Sequence, residues 1–210
     1  GVSLNQPTLT SPTITGTPVL NANSAEVLNR DSIYRQGIIN GGTEVAQRAA
    51  PTISNTYRYG QVDRFAAKGS GTAVSAGTIS QTTSPNVSSK TQTALKLAGV
   101  TITGTGITYV RYRMEAKDAK KYKNLTASFG LNVYHDVGSA INYTIYINKA
   151  NSEDNFSSVT AISNSGPQSV ASATSTTIKY ENISLGNCSN GLEIEIQAAC
   201  GAITTKNFEY

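Results

Sequence analysis

A chain of 210 residues with a formal charge of +4 and only 14% charged residues has room for one large domain plus an appendage. Ser, Thr, Asn and Gly abound, Tyr occurs 11 times and Trp not at all, the profile of an all-β surface or extracellular protein and not of a cytosolic metabolic enzyme. The basic residues are scattered, so a nucleic-acid partner is not expected, and no run approaches the ~20 apolar residues of a membrane span or the layout of a secretory signal.

The first elements are short bricks of one pattern: Pro7-Thr8-Leu9-Thr10, Pro12-Thr13-Ile14-Thr15 and Pro18-Val19-Leu20. Proline removes a backbone donor, and the alternating Thr and aliphatic residues suit a pleated, half-buried surface. Nothing within one copy would cover Leu9, Ile14, Val19 and Leu20. Residues 1–22 are therefore expected to form an extended fibre-shaft segment in which three identical chains cover one another, giving a homotrimer. A disordered Thr/Pro linker is the competing reading. Asn23-Ser24-Ala25-Glu26 then has the form of a capping box, with Val27, Leu28 and Ile33 as a short apolar stripe. A helical collar is expected over 23–37, the one helix foreseen in the chain.

From 38 to 210 the period changes to two. Weak strands are expected at Leu95–Leu97 and Ile178–Leu185, and Val110, Tyr112 and Met114 alternate with Arg111, Arg113 and Glu115. Lys117, Lys120, Lys121 and Lys123, with Asp118 among them, read as a solvated turn. Three strands are clean: Leu125 to Tyr134, Ile141 to Asn148 and Leu192 to Ala199, each with one apolar and one polar face. Gly186-Asn187 and Asn190-Gly191 are turn signals. The expected fold class is all-β, a two-sheet jelly-roll sandwich. Cys188 and Cys200 flank a strand and are expected as free thiols.

Ile38-Ile39-Asn40-Gly41-Gly42-Thr43-Glu44-Val45-Ala46-Gln47-Arg48 resembles the I-x-N-G…Q-R opening of a jelly-roll module found in bacteriophage tail fibres and related virion appendages, itself similar to carbohydrate-binding domains. Tyr59-Gly60-Gln61-Val62-Asp63-Arg64-Phe65 resembles that family's Y-x-x-D-R-W, with Phe65 in place of the tryptophan. Ala94-Leu95-Lys96-Leu97, Arg113-Met114-Glu115, Leu125-Thr126-Ala127-Ser128-Phe129 and Gly191-Leu192-Glu193-Ile194 resemble later strands in the expected order. The family's tryptophans are absent, and its acidic last strand is replaced here by Phe208-Glu209-Tyr210, which suggests a fragment or a sandwich closed differently. The residues themselves read as structural. Asn40 and Gly41 suit a left-handed turn, and Gln47 belongs to the same motif. Arg48, Asp63 and Arg64 could pair to lock the segment down, and Phe65 reads as core.

The resemblance implies a virion protein assembled in the host cytoplasm, with other virion proteins as partners. Chemistry is sparse. His135 is the only histidine and is expected at the inner face or rim of its strand; Glu193 and Glu195 read as solvated neighbours on an outer face. No catalysis, cofactor or metal is expected, a structural Ca²⁺ held by such carboxylates being the alternative they leave open. Tyr134 and Tyr146, with Asn132, Asn142, Thr144 and Asn148, would form one aromatic and amide face if their strands pair, which suits stacking and hydrogen bonding to a sugar. Two functions follow: a non-enzymatic tail-fibre tip attaching to host-surface polysaccharide, or a structural head fibre or decoration protein that binds no sugar.

Overall fold

A computed structural model describes residues 37–88 and 92–210. The shaft expected over 1–22, with Leu9, Ile14, Val19 and Leu20, and the collar expected over 23–37 apart from Gly37, lie outside the described residues. The regular structure of the described part is nearly all strand. In chain order come β1 (Arg58–Tyr59), β2 (Phe65–Ser70), β3 (Ala73–Thr82), β4 (Ala94–Thr103), β5 (Ile107–Met114) and β6 (Thr126–His135). There follow β7 (Ile141–Ser152), β8 (Asn155–Asn164), β9 (Gln168–Val170), β10 (Thr176–Ser184), β11 (Leu192–Ala199) and β12 (Ile203–Glu209).

They form two antiparallel sheets. The larger runs β1-β2-β5-β11-β7-β8, with β9 also on β7; the smaller runs β10-β6-β12-β4-β3. The late strands β11 and β12 thus sit in the middle of their sheets. Period-two alternation turns one row of each central strand inward, and these rows supply the core of a jelly-roll sandwich. The buried row of β7 is Ile141, Tyr143, Ile145 and Ile147; that of β5 is Val110, Tyr112 and Met114; and β11 adds Leu192, Ile196 and Ala198. Leu95, Leu97, Val100 and Ile102 of β4, Val133 of β6, Ile178 and Ile183 of β10 and Phe208 of β12 join the same core from the smaller sheet. Burial of these side chains from both sheets is the main stabilising term.

Several expectations are corrected. The lysine-rich turn is helical: α1 (Ala116–Ala119) runs into a 3₁₀ turn over Lys120–Tyr122, with Ala116 and Ala119 buried and the lysines outside. The Asp154 carboxylate accepts from the Ala116 N–H at 2.5 Å, satisfying a donor that the helix start leaves open. Leu125 is 49% exposed and precedes β6 instead of joining its inward row. Of the two placements expected for His135, the structure shows the inner face and not the rim. The residue is 0% exposed, with Tyr143 and Phe208 ring centroids 6.0 and 6.3 Å away. Its Nε2 donates to the Val170 carbonyl at 3.1 Å and its Nδ1 accepts from the Val137 N–H at 3.3 Å, which defines a neutral ring. Cys188 and Cys200 are free thiols, both buried. Among the described residues, no helix is long and apolar enough to cross a membrane.

Candidate functional site

The outward residues of the larger sheet form rows across its strands. In one row Tyr59, Ala66, Arg111, Glu195, Tyr146 and Asn164 are successive partners from β1 to β8. The next holds Lys68, Tyr109, Gln197 and Thr144, and on the other side lie Arg113, Glu193, Asn148 and Ala161. Tyr57, from the segment before β1, joins this face. Its hydroxyl donates to Glu195 Oε2, and the Arg111 guanidinium lies 3.6 Å from its ring centroid. The Lys68 ammonium lies 4.7 Å from the Tyr57 centroid and 4.4 Å from that of Tyr109, while the two rings meet edge to face at 6.4 Å.

Both carboxylates of the face are engaged within the chain. Glu193 is 3% exposed; it accepts from Arg113 Nε at 2.6 Å and Asn148 Nδ2 at 3.3 Å, with Arg111 at 3.8 Å. The expectation of a solvated Glu193 is therefore corrected. Long-range pairing of β11 with β5 brings the arginines beside it, and a buried carboxylate needs such partners. Glu195 accepts from Gln197 Nε2 at 2.6 Å as well as from Tyr57. Burial, then the hydrogen bond and charge of Glu195, hold the Tyr57 hydroxyl far above the ordinary phenol range, with Arg111 opposing. Burial and the Glu195 charge also raise Tyr109. Burial and the neighbouring Arg113 charge lower Arg111. Among the described residues, no cluster of His, Cys, Asp and Glu is arranged to hold a metal.

The sugar face expected from Tyr134 and Tyr146 is split. β6 pairs with β10 and β12, whereas β7 pairs with β11, β8 and β9, so the two strands lie in different sheets. Their outward faces look to opposite sides of the sandwich. Tyr146, Asn142, Thr144 and Asn148 stay together on the larger sheet, and Tyr134 and Asn132 go to the smaller one. Asn132 donates to the Ser88 carbonyl and accepts from Thr177 Oγ1 at 2.5 Å. It lines a cavity of about 480 Å³ with Thr43, Ser88, Thr177 and Tyr210. Sequence reasoning missed Tyr57, Lys68, Tyr109 and Arg111. The alternation of Arg111 and Arg113 in β5 was visible, but its neighbours across β2 and β11 were not.

The family-like motif is brought together as a structural device. Asn40 takes a left-handed φ of 61°, its Nδ2 donates to the Val45 and Asp63 carbonyls at 2.9 and 3.2 Å, and its Oδ1 accepts from the Val45 N–H at 3.0 Å. Ala46 bridges Val62, so the two motif halves lie side by side, with Gly41 in the turn and Gln47 exposed. Arg48 and Asp63 approach at 3.8 Å at the surface, a pair worth about 1 kcal/mol or less. Arg64 does not join them; it reaches Glu115 at 3.8 Å. Phe65 packs against the core with its ring 5.6 Å from Tyr112.

No protein-family model matches the chain, and no curated protein matches it in sequence. Its jelly-roll sandwich is similar in fold to carbohydrate-binding modules of the β-sandwich type. A solved member of that group, characterised for promiscuous specificity, superposes with a TM-score of 0.53 at 14% identity over 75% of this chain. This chain spans 60% of that protein's length. Weaker likenesses are to the C-terminal family 22 carbohydrate-binding module of Clostridium thermocellum Xyn10B (TM-score 0.43, 12% identity, 74% of this chain and 90% of that one) and to the enzymatically active domain of bacteriophage CBA120 tailspike protein 4 (0.49, 9%, 84% and 21%).

Proposed function

We propose that the chain is a non-enzymatic bacteriophage virion appendage whose sandwich attaches to a bacterial surface polysaccharide through the outer face of the larger sheet. The observation that carries this reading is Tyr146 on the outer face next to Thr144, with Gln197 diagonally across and Asn142 further along the same row of β7. Tyr146 is half-buried, and among the described residues no other ring or cation stacks on it; a tyrosine so placed suits contact with the C–H side of a sugar. A non-catalytic role is supported by the engagement of Glu193 and Glu195 inside the chain and by the burial of His135. The appendage, its homotrimer and its place in the virion rest on the Pro-Thr bricks and the Asn40 to Arg48 resemblance. Three linked heads would multiply a weak single-site affinity.

Binding to purified polysaccharides from candidate host surfaces tests the reading. Tyr146→Ala should abolish retention while leaving the thermal midpoint within a few degrees of the parent, and light scattering should report a trimer. A parent protein that forms trimers and binds none of the polysaccharides favours the second reading, a structural head fibre or decoration protein. The engagement of the Tyr57 and Tyr109 rings by cations of the same chain favours that alternative.

A further inference from the structure

The candidate face is short of open aromatic surface and rich in cations. Among the described residues, every cation–ring contact lies on this face or its β1 rim: Arg48 on Tyr59, Lys68 on Tyr57 and Tyr109, Arg111 on Tyr57, and Arg113 on Phe156. Tyr57 and Tyr109 therefore hold cations in position and are not bare platforms. Arg113 is matched by Glu193, and Glu195 is engaged by Tyr57 and Gln197. Among the described residues, no carboxylate pairs with Lys68, and Arg111 Nε is buried without a hydrogen-bond partner. A half-buried ammonium held between two rings is a ready site for an anion, since a charge-assisted hydrogen bond is about twice as strong as a neutral one.

We infer, on the basis of the sugar-binding reading above, that the ligand of this face is an acidic polysaccharide, one residue stacking on Tyr146 while the carboxylate of another meets Lys68. Lys68 and Tyr146 stand on β2 and β7, with β5 and β11 between them. Three interstrand steps of about 4.8 Å put them roughly 14 Å apart across the sheet, so the ligand is an oligomer lying across the strands and a single sugar cannot satisfy both.

The test compares one uronate-bearing bacterial polysaccharide, before and after chemical reduction of its carboxyl groups to alcohols, with a neutral polysaccharide as reference. The native polymer should bind, binding should weaken as salt is raised, and the carboxyl-reduced polymer should bind roughly tenfold more weakly. Lys68→Gln should lose the same factor on the native polymer and nothing further on the reduced one, and Lys68→Arg should restore it. Tyr146→Ala should weaken both polymers. Equal binding of native and reduced polymer, or Lys68→Gln at parental affinity with an unchanged melting curve, overturns the acidic ligand and leaves sugar binding standing. Failure of the parent protein to bind either form or the neutral reference overturns both.

Discussion

Glu193 and Glu195 leave one strand on the same side, yet only Glu193 is closed off from water. Its carboxylate neutralises Arg113 and sits 3.8 Å from Arg111, and Arg113 Nη2 also donates to the Phe156 carbonyl at 3.1 Å. Removing one member of such a group leaves a charge buried without its partner. Glu193→Gln is expected to cost about 3 kcal/mol, read as a lower midpoint in urea denaturation. The paired glutamates were legible in the sequence as neighbours. Their partners were not, because Arg113 and Asn148 reach Glu193 only through two separate strand pairings. Asn40 is the opposite case: its turn is set by its own short amide side chain, a local property that the sequence carries.

At the scale of elements, legibility follows regularity. β11 runs from Leu192 to Ala199 as its alternation predicts, since its ladders to β5 and β7 have no register shift. β12 was not foreseen. Its pairing with β4 slips between Ile203 and Lys206 and again between Lys206 and Phe208, so buried residues fall out of period two. Glu209 is 0% exposed although it points away from the core, on the face of Lys96 and Tyr134; it accepts from Asn86 and from Lys96 Nζ at 3.0 Å, and a buried charge next to Phe208 disguises a central strand. Phe208, also 0% exposed, should be the sensitive residue of β12. Phe208→Ala is expected to lower stability by about 3–5 kcal/mol, measured by equilibrium unfolding. The separation of β6 from β7 was equally hidden. Consecutive strands are neighbours roughly two-thirds of the time, and the short connection from Asp136 to Ala140 permits either outcome.

Over the whole molecule, buried titratable groups define a stability plateau. Burial lowers His135 from its ordinary 6.5, so below that pH the unfolded chain takes up the proton first and stability is lost as pH falls through the folded value. Burial raises Cys200 from 9.0 to about 11, and the Cys188, Tyr57, Tyr143 and Tyr210 groups are raised as well. For these the unfolded chain releases its protons first, and stability present below about pH 9 is lost as pH rises through the folded values. Urea midpoints measured across pH should be flat from about 6.5 to 9 and fall on both sides. His135→Gln should flatten the acid limb; an acid limb of unchanged slope would assign it to other groups.

The order of strands has a further consequence, for synthesis on the ribosome. Because β11 and β12 divide the larger and smaller sheets, every earlier strand waits for Leu192–Glu209 to emerge before its sheet can close. A nascent or prematurely terminated chain lacking Leu192 onward would hold four strand groups with open edges and no continuous outer face on the larger sheet. Emergence of Leu192–Glu209 is then the step that separates an aggregation-prone intermediate from a closed sandwich.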